Sequence, residues 1–307
     1  MRNISLSFLT ILFSVVLSAQ DLTILHVNDT HSHVEPERSG PFAGKGGAIE
    51  QAAYIDSVRC AEGSGNVLLL HAGDFSQGTS YFKELGGDVE IDLINAMKFD
   101  AVCLGNHEFD NGLEELARRV ARLEVPVVCA NYDFSSTPLD TLVKPYVVLQ
   151  KNHKKIGVIG LLTDLSTVID VNIASRLKYQ HPALIAEKYA LMLKKELGCD
   201  LVVCLTHLGY EGEFYTDQQL VAQSSNIDIV VGGHSHTVLD DLKRFKDKEG
   251  KEVVVVTDGK WGLRIGHLAI RWNSRLTGLH GQVSGLSVFQ GDSCNAPVKG
   301  KYVFRNS

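Results

Sequence analysis

Between positions 22 and 231, apolar runs of strand length alternate with longer stretches of helical periodicity, and polar clusters follow most of the runs. The runs are 22–27, 67–71, 101–104, 125–130, 155–162, 201–205 and 227–231. The helical stretches are 47–59, 89–98, 113–123, 183–197 and 217–223. Such alternation calls for parallel β-α-β units, in which each helix crosses over an open sheet. In that architecture ligands bind beyond the carboxyl ends of the strands. Asp29, Asp74, Asn106, His207 and His234 all fall within three residues of such an end.

Beyond position 251 the pattern changes. Segments 252–257, 263–272 and 276–289 read as successive strands with turns between, which adds antiparallel pairing. A loop rich in Ser, Thr and Pro at 133–145 could divide two lobes, and the charged segment 240–251 reads as a solvated turn. The order of elements fits an α/β four-layer αββα sandwich, with helices outside two facing mixed β-sheets. Composition alone would equally admit one doubly wound sheet.

Residues 1–19 read as a secretory signal peptide. Arg2 precedes a mostly apolar run, and Leu17-Ser18-Ala19 offers small residues before Gln20, so cleavage is expected after Ala19. The run is too short and Ser-rich to span a bilayer, so no membrane anchor is expected. The protein should be exported, to a periplasm or to the medium. A net charge of −6 gives no basic field for nucleic acid. Of the six cysteines, Cys103, Cys129 and Cys204 lie inside strand runs, where a thiol behaves as a small hydrophobe. No C-x-x-C occurs, and no disulfide is assigned.

The polar clusters are Asp29-Thr30-His31, Gly73-Asp74, Gly105-Asn106-His107-Glu108 with Asp110 trailing, Thr206-His207 and Gly232-Gly233-His234-Ser235-His236. They supply Asp, Asn and imidazole, never Cys, a donor set suited to Zn, Mn, Co or Fe. Singly, each has an ordinary reading, since Asp-x-His after a strand is a common turn or helix cap. Asn-His-Glu after a Gly turn, and His-x-His behind two glycines, have little structural purpose. Seven such side chains gathered at one sheet edge would hold two metal ions, and paired metals serve phosphoester hydrolysis. His26 and His71 sit within strands and read as packed. His33 lies close by in sequence, while His153, His181, His267 and His280 have no partnering pattern. Phe109, Tyr210, Phe214 and Tyr215 could line an entrance that stacks a base, although such aromatics more often pack between loops and helices. No H-E-x-x-H occurs, which removes a mononuclear metalloprotease.

Beyond the clusters themselves, Ile24-Leu25-His26-Val27-Asn28 leads into the first, Ala72 precedes Gly73, Phe109 joins Glu108 to Asp110, Leu208-Gly209 follows His207, Asp228-Ile229-Val230-Val231 leads into the last, and Asp258-Gly259-Lys260-Trp261-Gly262 lies further on. With these stretches the chain resembles the calcineurin-like metallophosphoesterases, and within them the 5′-nucleotidase, UDP-sugar hydrolase and 2′,3′-cyclic phosphodiesterase group. The resemblance implies the metallophosphatase fold with a catalytic domain at 20–290 and a tail at 291–307. It also implies two divalent metal ions (Zn, Mn, Co or Fe) and a phosphoester or nucleotide substrate. One ion would be held by Asp29, His31, Asp74 and His236. The other would be held by Asp74, Asn106, His207 and His234, with Asp74 giving one carboxylate oxygen to each. Asn106 and His107 would contact the substrate, His107 as a general acid kept charged and oriented by Asp110.

Two features depart from that group. Its bifunctional nucleotidases carry a second, C-terminal nucleotide-recognition domain, which is expected to be absent here; a separately encoded domain is then the expected partner, the alternative being phosphoesters taken with little base selectivity. Where many of them have an amide side chain, this chain has His236. That leaves 5′-nucleotides, 2′,3′-cyclic nucleotides, nucleotide sugars and simpler monoesters as substrate classes. The alternative reading is a secreted metal-binding or regulatory module without turnover. The full ligand set and the His107–Asp110 pair argue against it.

Overall fold

The computed structural model describes residues 22–272 and the backbone of a strand at 281–290. The expected signal peptide 1–19, the tail 291–307, His280 and Cys294 lie outside the described residues.

The first sheet takes β1 (Leu22–Val27), β2 (Val67–His71), β3 (Ala101–Cys103) and β4 (Val127–Val128) from the early chain. After a short β5 (Tyr132–Asp133), β6 (Val143–Lys144) closes its edge. The chain passes at once into a second sheet through β7 (Tyr146–Lys151) and β8 (Lys154–Leu162). A two-residue β9 (Lys178–Tyr179) pairs back with β5. The second sheet then takes β10 (Leu201–His207), β11 (Ile229–Val231), β12 (Lys243–Lys246) and β13 (Glu252–Val256). Last, β14 (Arg264–Trp272) and β15 (Gly281–Gln290) return to the first sheet. Spatial orders are β15-β14-β1-β2-β3-β4-β6 and β12-β13-β11-β10-β8-β7. Both sheets are parallel inside with antiparallel outer strands, β14 and β15 in the first, β12 and β7 in the second.

Why two facing sheets form is visible in the alternation along each strand. In β1, Leu22 and Ile24 face the second sheet, while Leu25 and Val27 face outward beneath α1 (Ala48–Glu62). In β10, Leu201, Val203 and Leu205 face inward, while Val202 and Cys204 face outward. Successive side chains of a strand point to opposite faces, so runs that are apolar throughout must be covered on both sides. Beyond α2 (Ser80–Leu85), further cover comes from α3 (Asp88–Met97) and α4 (Leu113–Val120) on the first sheet's side. After α5 (Val171–Ala174), the second sheet is covered by α6 (Pro182–Lys195) and α7 (Asp217–Gln223). Burying each Leu or Ile contributes about 1.5–3 kcal/mol, so the layer between the sheets fixes where the strands end. The expected four-layer sandwich is the observed fold.

Two local expectations are corrected. The segment 240–251 is not only a solvated turn, because β12 within it pairs antiparallel with β13. Arg244 and Lys246 are exposed while Phe245 packs on the outer core of the second sheet, an arrangement that an edge strand tolerates. The run 125–130 yields only a two-residue ladder. Pro126 has no N–H to donate, and beyond β4 the amide of Ala130 bonds to Gly160 of the second sheet (2.7 Å). Five cysteines are free among the described residues, and burial pushes the Cys129 thiol up to about 12. No helix among the described residues is long and apolar enough to cross a membrane.

Under α1, His267 of β14 is paired with the Tyr54 hydroxyl at 3.0 Å. Burial, helped by the nearby His26, lowers its pKa to about 4. Its folded pKa lies below the unfolded value of ~6.5, so the unfolded chain binds the extra proton as pH falls between those values. Stability is therefore complete near neutral pH and lost toward acid. His267 alone should remove about 2 kcal/mol between pH 7 and pH 5. Urea titrations of His267→Asn should show a flatter acid limb than the wild type. Parallel limbs would mean that His267 is not buried in its neutral form.

Candidate metal centre

The loops leaving β1, β2 and β3 in the first sheet, and those ending β10 and β11 in the second, meet at one edge. Backbone bonds zip the first two loops together: Asp29 N to Gly73 O, His31 N to Asp74 O and Ser32 N to Phe75 O, each 3.0 Å. Two glycines permit the closeness. A Cβ on Gly105 would lie 2.2 Å from Asp74 Oδ1, and one on Gly73 would lie 2.7 Å from His207 Nδ1. Larger residues at either place would push the loops apart.

The backbone here is strained in a consistent way. Asp29 (φ 51°), His31 (47°), Asp74 (53°), His234 (77°) and His236 (53°) all lie in the left-handed region. Each such residue costs about 1–2 kcal/mol when it is not glycine. Five of them around one point mark a functional site rather than a packing defect.

Two sets of side chains converge. Asp29, His31 and His236 form one group and Asp74, His207 and His234 the other, with the donor atoms of each group within 4.8 Å of one another. His31 Nε2 is 3.0 Å from His236 Nε2, and His236 Nε2 is 3.4 Å from Asp29 Oδ1. In the second group His207 Nε2 is 3.0 Å from Asp74 Oδ2. Donors each bound at about 2 Å to one cation stand at such separations. Asp74 Oδ2 also lies 3.9 Å from His31 Nε2, so one oxygen faces both groups. Its other oxygen, Oδ1, accepts the His107 amide (2.9 Å). Oδ2 is thus the oxygen turned toward both groups, while Oδ1 is tied to the backbone.

Three buried atoms here lack an assigned hydrogen-bond partner: Asp29 Oδ1, Asn106 Oδ1 and His207 Nε2. Asp29 and His207 are tied at their other ends. Asp29 Oδ2 accepts from Asn28 Nδ2 (2.7 Å) and His234 N (2.9 Å). His207 Nδ1 donates to Ala72 O (2.7 Å), which leaves Nε2 turned toward Asp74. Buried polar atoms normally find partners, so inward-facing orphans of this donor set fit divalent cations. The electrostatics agree. Burial alone would lower His207, yet the Asp74 and Asp29 carboxylates raise it to about 10. Burial, together with His207, lowers His234 to about 4. Asp74 is held well below the usual carboxylate range by His207 and His31, against the effect of burial. The field at this point favours positive charge.

His107 stands at the mouth, its side chain 31% exposed, with Nδ1 2.9 Å from Asp110 Oδ2. Asp110 is the main cause of its raised pKa. The His107 ring lies 5.4 Å from that of His31. The structure thus gathers Asp29, His31, Asp74, His207, His234 and His236 into the two groups, sets His107 and Asp110 beside them, and buries Asn106 next to His107 in the chain. It does not bring in the others. His33 bonds to Glu37 and stacks on Trp261, and His71 bonds to Thr30. Phe109 is fully buried, and Tyr210 and Tyr215 pack against the outer core of the second sheet. Of the four aromatics considered for base stacking, only Phe214 is exposed.

Asn28 and Asp258 stand in the family-like stretches, and the structure shows what they hold. Asn28 orients Asp29 and is itself fixed by the Asp258 amide (3.0 Å), while Asp258 pairs with buried His26 at 2.8 Å. The family-like stretch at 258–262 was the available signal, and Trp261 N bonding to Asp29 O explains its place.

Two facing mixed sheets with paired nitrogen-and-oxygen ligand groups at one edge define a metallophosphatase-type α/β protein. The family model for calcineurin-like phosphoesterase matches residues 22–238, and the chain belongs to that family. The snake venom 5′-nucleotidase of Gloydius brevicauda is 30% identical over 284 residues, covering 85% of this chain and 47% of its own length. The crystal structure of a 5′-nucleotidase precursor from Thermus thermophilus matches with a TM-score of 0.79 and 32% identity, over 88% of this chain and 54% of that one. The Haemophilus influenzae NAD nucleotidase matches with a TM-score of 0.74 and 27% identity, over 93% and 54%. The chain spans about half the length of these relatives.

Proposed function

We propose that this domain hydrolyses nucleotide-type phosphoesters at a dinuclear metal centre. The observation that supports this most is the single Asp74 oxygen facing both ligand groups, with orphaned donors on either side. One ion would be held by Asp29, His31, Asp74 and His236, and the other by Asp74, Asn106, His207 and His234. When bound, two divalent ions supply Lewis acidity and a nucleophile available at neutral pH. The rest is done by the chain. Asn106, a neutral amide, completes the second group without adding repulsion against a phosphate. His107 donates through Nδ1–H to Asp110, which leaves the protonated Nε2 directed at the mouth. From there it can pass its proton to the departing alkoxide while Asp110 keeps the ring in place. Ala72, Asn28 and the His234 amide hold their ligands rigid, so that little reorganisation accompanies the reaction.

The curated relatives are about twice as long as the stretch matched, so base recognition is proposed to come from outside this domain, in a separate polypeptide or in further sequence. Residues 1–19 are proposed to be an export signal, which a mature N-terminus at Gln20 would support.

The reading is tested by stripping the purified protein with a chelator and assaying a panel of nucleotide, cyclic nucleotide and simple phosphate esters. Hydrolysis should vanish on stripping and return with Mn, Zn, Co or ferrous salts, with two ions bound per chain. Two bound ions without hydrolysis of any ester would favour the regulatory alternative. Full activity in the stripped protein would defeat the metal mechanism.

A further inference from the structure

We propose that Glu108 and Arg119 clamp the loop carrying Asp74 onto the loop carrying Asn106, and so set the spacing between the two ligand groups. This rests on the dinuclear reading above. Glu108 is fully buried and touches no donor atom aimed at the ligand groups. Its carboxylate instead collects three backbone amides. Oε2 accepts from Gly105 N (2.6 Å) and Asp74 N (2.9 Å), and Oε1 accepts from Ser76 N (3.0 Å). Two of those amides belong to the loop after β2 and one to the loop after β3, so one side chain ties both.

Arg119 of α4, also fully buried, completes the tie from behind. Its Nη2 donates to Glu108 O (2.8 Å) and its Nη1 to Ser76 Oγ (3.0 Å), one bond to each loop. The pair therefore grips the segment in which Gly73 (φ 86°) and Asp74 (φ 53°) are successively left-handed. The same turn delivers the His107 amide to Asp74 Oδ1 and leaves Oδ2 as the oxygen facing both groups.

The chemistry of the position asks for a carboxylate. Only an acceptor with two oxygens can serve three converging N–H groups, and a carboxamide of the same shape would turn an NH2 donor against one of them. Groups that hold metal ligands in this indirect way typically change metal affinity or activity by about 10–100-fold when altered. Glu108 and Arg119 are accordingly positioning residues.

Manganese titration followed by electron paramagnetic resonance reads the spacing directly, because two ions ~3.5–4 Å apart give an exchange-coupled spectrum. Glu108→Gln should need at least about 10-fold more Mn2+ than the wild type to reach that spectrum, with kcat for a phosphoester falling more than KM changes. Arg119→Lys keeps the charge but not the two-pronged donor, and should shift in the same direction. Leu116→Ala, in the buried face of the same helix, should lower thermal stability yet keep the wild-type manganese dependence. If Glu108→Gln fails to fold, Arg119→Lys carries the test alone. Coupled spectra at wild-type Mn2+ in the substituted proteins would overturn the clamp, as would an equal shift in Leu116→Ala. A wild-type protein that never shows coupling would remove the dinuclear reading itself.

Discussion

Asp74→Asn should lower kcat/KM for a phosphoester by on the order of 10⁴-fold, because the Lewis acidity of the pair and the activated nucleophile are lost together. The substitution is nearly isosteric. The carbonyl oxygen of Asn can still accept the His107 amide, which places an NH2 where Oδ2 now faces His207 and His31. That NH2 can donate to the His207 Nε2 lone pair, so the fold should persist while the shared ligand disappears. Thermal shift separates the two effects. Two ions each at 100-fold above their Kd stabilise by about 2.7 kcal/mol apiece. At about 2–4 °C per kcal/mol, the wild type should gain about 10–20 °C on metal addition. The variant should gain less than half of that. Wild-type activity together with a wild-type thermal shift in Asp74→Asn would take the bridging role away from this residue.

The strands and the candidate metal-binding side chains were legible in the sequence for the same reason: both follow from local pattern. β1, β2 and α7 have the bounds that periodicity predicts, and the ligand residues stand where strand ends place them. β12 was hidden because its charges resemble a turn, and only pairing with β13 makes it a strand. The supports of the site were hidden more deeply. Asn28 is held by Asp258, 230 residues away, and Glu108 serves amides that arrive from another loop. No spacing rule encodes a bond to a distant backbone N–H. Which Asp74 oxygen turns toward both groups was likewise invisible, since it depends on which oxygen the His107 amide takes.

His107→Ala should lower kcat by about 10²–10⁴-fold with metal content and the metal-induced thermal shift unchanged. The contrast follows from geometry, because His107 stands at the mouth bonded to Asp110 and belongs to neither ligand group. The choice of substrate reveals which task it performs. A nucleoside monophosphate releases a basic alkoxide that needs a proton, whereas a nitrophenyl ester releases a phenolate that does not. If His107 acts as the acid, its removal should cost the nucleotide the full factor and the nitrophenyl ester about 10-fold or less. If it acts by offsetting charge on the phosphoryl oxygens, both esters should suffer alike. Asp110→Asn should fall between wild type and His107→Ala, since it leaves the imidazole in place but releases its Nδ1 anchor. A His107→Ala protein with undiminished turnover of both esters would leave the ring without a chemical role, and the search for the proton donor would move to another side of the cleft.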